Sequence, residues 1–204
     1  STIGYVKGDK FSLLFDSGAS GIHALETKND LDRAFLPYPS LVALSHYHWD
    51  HSFGLHYWSC PSIASKETNT ELRKLSQYKW DEEAIKRRVE KGEEIVFCHE
   101  MMKREYGETE RIRVIPATMS FEGKMEIDLG GVRCILHHIR GPHSSDSVVL
   151  YVVEDRIIFL GDSHSKDLYG YPWHVDKNEE EKFFGNISVI PYDSDRTEKY
   201  IQHM

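Results

Sequence analysis

Six consecutive residues, His46-Tyr47-His48-Trp49-Asp50-His51, set three imidazoles and a carboxylate close together. Those donors suit zinc, iron or manganese, and the lack of cysteine beside them argues against a structural thiolate zinc site. Alternate residues of an extended segment point the same way. His46 and His48 can therefore share one metal while Asp50 and His51, where the chain turns, face a second position. A mononuclear site needs three protein ligands and an open position, and this stretch offers more. Packing such groups together without a cation would incur repeated desolvation costs. Two later stretches add donors at the exits of apolar runs: Gly141-Pro142-His143-Ser144-Ser145-Asp146-Ser147 and Gly161-Asp162-Ser163. From there His143 can supply a third ligand to one metal, and Asp162 a bridge between two.

Such donors need rigid elements behind them. Leu41-Val42-Ala43-Leu44 reads as a buried strand that delivers the chain directly to Ser45 and His46. Tyr5–Val6 and Phe11–Asp16 predict a hairpin turning at Lys7-Gly8-Asp9-Lys10, its second strand running into Asp16-Ser17-Gly18. From Ser65 to Arg88 the chain is rich in charge, with Leu72, Leu75, Ile85 and Val89 at helical intervals. Two surface helices broken near Tyr78–Asp81 are expected. Further strands are predicted at Ile95–Phe97, Arg111–Ile115, Lys124–Leu129, Val132–His138, Val148–Val153 and Arg156–Leu160, with tight connections at Gly130-Gly131 and Glu154-Asp155. A Ser194/Asp195 cap predicts a last helix over Thr197–Met204. No repeat or Pro/Gly-rich linker divides the chain, so one mixed α/β domain, mostly antiparallel in its second half, is the simplest assignment.

Composition narrows the class. The chain has 204 residues, 25 Lys+Arg against 33 Asp+Glu, and a net charge of -8. It is long enough to bury a core without disulfides, and its apolar content excludes collagen-like and wholly disordered classes. The negative balance disfavours a nucleic-acid partner, although bound divalent cations reverse the sign locally and leave room for an anionic substrate. Cys60, Cys98 and Cys134 are far apart and odd in number, so plain thiols in a reducing, cytoplasmic setting are expected. Ser1–Lys7 does not read as a signal peptide, and no apolar run is long enough to span a membrane.

With these motifs in order, the chain resembles the metallo-β-lactamase superfamily of metal-dependent hydrolases from about Tyr5 onward. The carrying residues are Phe15-Asp16-Ser17-Gly18, the signature H-x-H-x-D-H at His46–His51 followed by Gly54, then His143 and Asp162. The resemblance implies an α/β fold, the four-layered αβ/βα sandwich of two mixed sheets with helices outside. It implies two divalent metal ions, zinc before iron or manganese. His46, His48 and His143 would hold the first; Asp50, His51 and a bridging Asp162 would hold the second. Asp16 would orient a ligand by hydrogen bonds without touching metal. The implied activity is hydrolysis of an ester, thioester, lactone or similar small-molecule bond by a metal-bridging hydroxide, with Asp50 as the catalytic carboxylate. A phosphodiesterase or nuclease of the same fold, or a metal-binding protein without catalysis, are the alternatives. The expected partner is a small-molecule substrate, with no nucleic acid favoured, no membrane, and a homo-oligomer left open.

The pattern also departs from the family. Flavodiiron members carry Glu where His48 stands, which disfavours redox chemistry. Many true β-lactamases have Cys or His where Asp162 stands, so this chain looks more like glyoxalase II, lactonases and related hydrolases. The quorum-quenching lactonases, however, place a Tyr soon after that Asp, and here Ser163, His164 and Ser165 follow. His164 is close enough in sequence to contact substrate or a ligand. The family's last His is not found: Val189-Ile190-Pro191 leads to Tyr192-Asp193-Ser194 instead. It is expected beyond Met204, with His174 and His203 as lesser substitutes, in a single domain 1–204 trimmed at both ends. The charged stretch at about 66–113 reads as a helical insertion that caps the groove, makes a subunit contact, or is simply a solvated helical pair. His137 and His138 are expected to be structural.

Overall fold

The computed structural model describes residues 1–141 and 143–163. Strands β1 (Gly4–Lys7) and β2 (Ser12–Phe15) form the expected antiparallel hairpin. Strands β3 (Leu41–Ala43), β4 (Ser62–Ser65) and β5 (Met119–Phe121) then join β2 in parallel, in the order β1-β2-β3-β4-β5. Parallel neighbours need crossover connections. Helix α1 (Gly21–Arg33) links β2 to β3, the short α2 (Trp49–Ser52) lies between β3 and β4, and α3 (Lys66–Leu75), α4 (Glu82–Glu90) and α5 (Val96–Tyr106) lie between β4 and β5. The second sheet is an antiparallel meander of β6 (Lys124–Asp128), β7 (Arg133–His138), β8 (Val148–Val152) and β9 (Ile157–Phe159).

The central strands of the first sheet are apolar on both faces, and their two-residue period divides them between two cores. Leu13, Ala43 and Ile63 pack with Leu136, Val148 and Leu150 of the second sheet. Leu14, Val42 and Ala64 pack with Leu72, Ile85 and Met102 of the helices. Helices, first sheet and second sheet thus form successive layers. Truncating a fully buried leucine such as Leu14 or Leu136 is expected to cost about 2–5 kcal/mol.

The helices begin where capping side chains allow it. Ser20 accepts from the Ile22 and His23 amides, Ser65 from Thr68, and Asp81 from Ala84. The charged stretch after Ser65 is more than a solvated pair, because Leu72, Trp80, Ile85 and Met102 complete one of the two cores.

Two predicted strands are corrected. Ile95–Phe97 is the start of α5: Val96 and Phe97 are 62% and 59% exposed, while Cys98 and Met102, four residues apart, are buried, which is helical spacing. Arg111–Ile115 alternates as a strand would, with Ile112 and Val114 buried, yet it joins neither sheet. Its side chains pack onto the helical core while its backbone finds no ladder partner among the described residues. Sequence reading also missed α1, β4 and β5. The helix predicted at Thr197–Met204 lies outside the described residues. No helix among the described residues is long and apolar enough to cross a membrane.

Candidate metal centre

Strands β2 and β3 end side by side, and the Asp16 amide continues their pairing by donating to the Ala43 carbonyl at 2.8 Å. The chain leaves β3 through Leu44 and Ser45, placing Asp16 and His46 at the same edge. Asp16 sits in the left-handed region, φ 71°, which turns its side chain under the histidine stretch. Both its oxygens are engaged: Oδ1 accepts from the Ser45 amide at 2.7 Å, and Oδ2 from the Ser45 hydroxyl at 2.8 Å and from His51 Nδ1 at 2.7 Å.

These bonds decide how two histidines face the site. The Ser45 hydroxyl proton is given to Asp16, so Ser45 Oγ can only accept from His46 Nδ1, 2.9 Å away. His46 Nε2 therefore carries its lone pair inward. His51, anchored to Asp16 through Nδ1, likewise turns Nε2 inward. Close packing holds the stretch from the other side. The Ser17 amide and hydroxyl both donate to the His51 carbonyl, at 2.8 and 2.9 Å, and the Gly54 amide donates to the Gly18 carbonyl at 2.8 Å. A Cβ at Gly54 would lie 2.2 Å from the Ser17 carbonyl oxygen, so only glycine fits there.

His143 arrives from the loop between β7 and β8, and Asp162 from the end of β9. Gly161, at φ +54°, brings that end so close that a Cβ would meet the Ser45 side chain at 2.7 Å. His48 Nδ1 then lies 3.0 Å from His46 Nε2 and 2.9 Å from His143 Nε2. One ring nitrogen has a single proton or a single lone pair, and makes one good hydrogen bond rather than two. A cation accepts all three lone pairs. Donors at about 2.0–2.1 Å from a tetrahedral zinc stand about 3.3 Å apart, only a few tenths of an ångström wider than found here.

A second group of donors adjoins the first. His46, His51 and Asp162 converge, as His46, His48 and His143 do. His51 Nε2 is 3.3 Å from Asp50 Oδ2 and 3.5 Å from Asp162 Oδ1, while Asp162 Oδ2 is 3.6 Å from His143 Nε2. Asp162 thus presents one oxygen to each group. Asp50 reaches the centre beside His51 and stands outside the two tight triads, with His46 common to both. Asp50 and Asp162 are partly exposed, whereas His46, His51 and His143 are buried, so the carboxylates face the mouth.

The charge states suit cation binding. Burial, with the neighbouring imidazoles, holds His46 well below the ordinary histidine value, and His48 is lowered to about 4 by burial and His143. Both are neutral ligands at neutral pH. Burial pushes Asp50 and Asp162 up, but the His51 contact outweighs it and both carboxyls sit below their usual range. Burial alone would lower His51. The Asp16 charge and hydrogen bonds to Asp16, Asp162 and Asp50 overcome this and raise it well above its ordinary value. Three carboxylates around one imidazole call for positive charge, which a proton supplies in part and a divalent cation supplies better.

The expected site residues His46, His48, Asp50, His51, His143 and Asp162 therefore come together, with Asp16 beneath them. His164, His174 and His203 lie outside the described residues. His138 is tied to the Ser145 carbonyl at 3.0 Å, away from both triads. Sequence reading missed Ser45, whose hydroxyl sets the His46 tautomer, and Asp146, a buried carboxylate that binds the Tyr47 amide at 2.9 Å. The position of Ser45 between strand and first histidine, and of Asp146 three residues after His143, were the available signals.

Residues 1–170 match the family described as the metallo-beta-lactamase superfamily. No curated protein sequence matches the chain significantly. Among solved structures, a metallo-beta-lactamase from Cronobacter sakazakii superposes with a TM-score of 0.54 at 14% identity, over 77% of this chain and 56% of that one. One from Pontibacter korlensis gives 0.58 at 16%, over 98% and 86%. An archaeal superfamily protein from Sulfolobus tokodaii gives 0.50 at 22%, over 79% and 57%. At these identities the likeness is one of fold, and the chain spans little more than half the length of the first and third.

Proposed function

Because the chain belongs to the metallo-beta-lactamase superfamily, we propose that it is a metal-dependent hydrolase of small-molecule esters, thioesters, lactones or similar bonds. The observation that carries this reading is the pair of adjoining donor groups, imidazoles on one side and ionised carboxylates on the other, with His46 between them. His46, His48 and His143 would hold one divalent cation, and His51, Asp50 and Asp162 the other, zinc being the best match to nitrogen and carboxylate donors. Bound there, such ions supply Lewis acidity and make water a nucleophile near neutral pH.

The chain's own residues do the rest. Asp50, ionised and partly exposed at the mouth, would accept a hydrogen bond from the attacking water and keep its lone pair aimed at the substrate. Asp16 and Ser45 keep the inner nitrogens of His51 and His46 aimed without reorganisation during turnover. The wall of buried side chains from both sheets limits water on the inner side.

Metal analysis of the purified chain should find about two divalent ions per molecule. A panel of lactone, thioester, β-lactam and phosphodiester substrates should then show metal-dependent turnover on a carboxylic acid derivative, lost in His48→Ala and Asp50→Ala. Turnover of phosphodiesters alone would replace the proposed substrate class. Equal activity in both variants would refute the site.

A further inference from the structure

The loop that carries His143 and the stretch that carries His46 and His48 belong to different sheets, and one buried side chain joins them outside the site. Asp146 is 2% exposed and touches none of the ligand nitrogens. Its Oδ2 accepts from the Tyr47 amide at 2.9 Å and from the Thr68 hydroxyl at 2.8 Å, and its Oδ1 accepts from the Ser144 hydroxyl. Tyr47 lies between His46 and His48, and Ser144 directly follows His143. Thr68 belongs to the first turn of α3, where its own amide is capped by Ser65 at 3.0 Å. The Val148 amide, donating to the Ser45 carbonyl at 2.7 Å, is a second tie between the same segments.

We propose that Asp146 is a positioning residue for the first donor group, a clamp that sets the distance between His143 and the His46/His48 pair and anchors that distance to α3. This inference rests on the metal-centre reading above and adds to it a residue that binds no metal. The clamp works because three donors converge on one carboxylate in a buried place. Removing it leaves the Tyr47 amide and the Thr68 hydroxyl without that acceptor, so the two segments lose their common reference. In the second donor group His51 is anchored by Asp16 and not by Asp146, so that group should respond little.

The test is stepwise zinc titration of the full chain against a chromophoric chelator, with cobalt absorption spectra and thermal melts alongside. In Asp146→Ala the affinity of one metal equivalent should fall about 10–100-fold while the other changes little, and the cobalt spectrum should broaden. Asp146→Asn keeps an acceptor oxygen for Tyr47 and Thr68, and its affinities should stay within about threefold of the parent, which no ligand or base would allow. Thr68→Val, of like shape, should weaken the same equivalent by about two- to tenfold, and it remains informative if the alanine variant fails to fold. A parent that binds metal, with affinities unchanged in Asp146→Ala and Thr68→Val, would overturn the clamp alone. A parent that binds no metal would overturn the hydrolase reading and the clamp together.

Discussion

The two donor groups share His46 yet are built on opposite principles. The first, His46, His48 and His143, consists of imidazoles drawn from two sheets and held by a buried network that includes Ser45 and Asp146. The second, His51 with Asp50 and Asp162, is anionic, partly exposed, and anchored at one point by Asp16. Burial favours uncharged nitrogen donors inside, and the charge that polarises water is left at the mouth. Geometry is therefore the vulnerable property of the first group, and charge that of the second.

The largest effect is expected at the shared residue. His46→Ala removes a nitrogen from the first group and the ring packed against His51 of the second, and the variant should lose the first metal through dialysis and hold the second more weakly; full retention of both would remove His46 from the site. Next, Asp50→Asn should leave the first group occupied and reduce kcat about 10²–10⁴-fold, with little change in melting temperature. A normal kcat would deny the second group its chemical role. Asp16→Ala should weaken metal binding at His51 about 10–100-fold, and it should cost about 2–4 kcal/mol in chemical denaturation because three donors lose their acceptor.

The groups should also differ in how acid acts on the metal-free protein. His48 titrates near 4 in the fold against an ordinary 6.5, so between those values the unfolded chain binds more protons. Stability from this residue therefore falls as pH drops from about 6.5 towards 4. His51 acts in the opposite sense: its contribution is complete below the ordinary histidine value and is lost as pH rises through its raised one. Melting curves of metal-free protein across this range should show an acid limb that flattens in His48→Gln, and an unchanged limb would remove His48 from the account. The smallest effect is expected far from both groups, where Lys66→Ala breaks an exposed pair with Glu122 and should leave melting temperature and metal content unchanged.

Much of this was legible in the residue order. The strand at Leu41–Leu44 and the antiparallel run from Lys124 onward follow from apolar periodicity, and the density of donors at His46–His51 announced a cation site. Short parallel strands were not legible. Ser62–Ser65 has two serines in four residues, and becomes a strand because β3 and β5 flank it. Ile95–Phe97 misled because three residues cannot distinguish a strand from the first turn of a helix. Asp146 gave little local sign of its role, since its partners Tyr47 and Thr68 are distant in the chain.

The sequence by itself determined which donors exist, that they are imidazole and carboxylate rather than thiolate, and that they follow strands able to hold them. Only the tertiary structure decided which nitrogen of each ring faces inward, that His46 borders both groups, and that Asp16 aims His51 and, through Ser45, His46, while Asp146 ties Tyr47 to the loop of His143. Donor type is a property of each residue. Tautomer, distance and shared charge depend on groups that folding brings within about 3 Å of one another from distant parts of the chain.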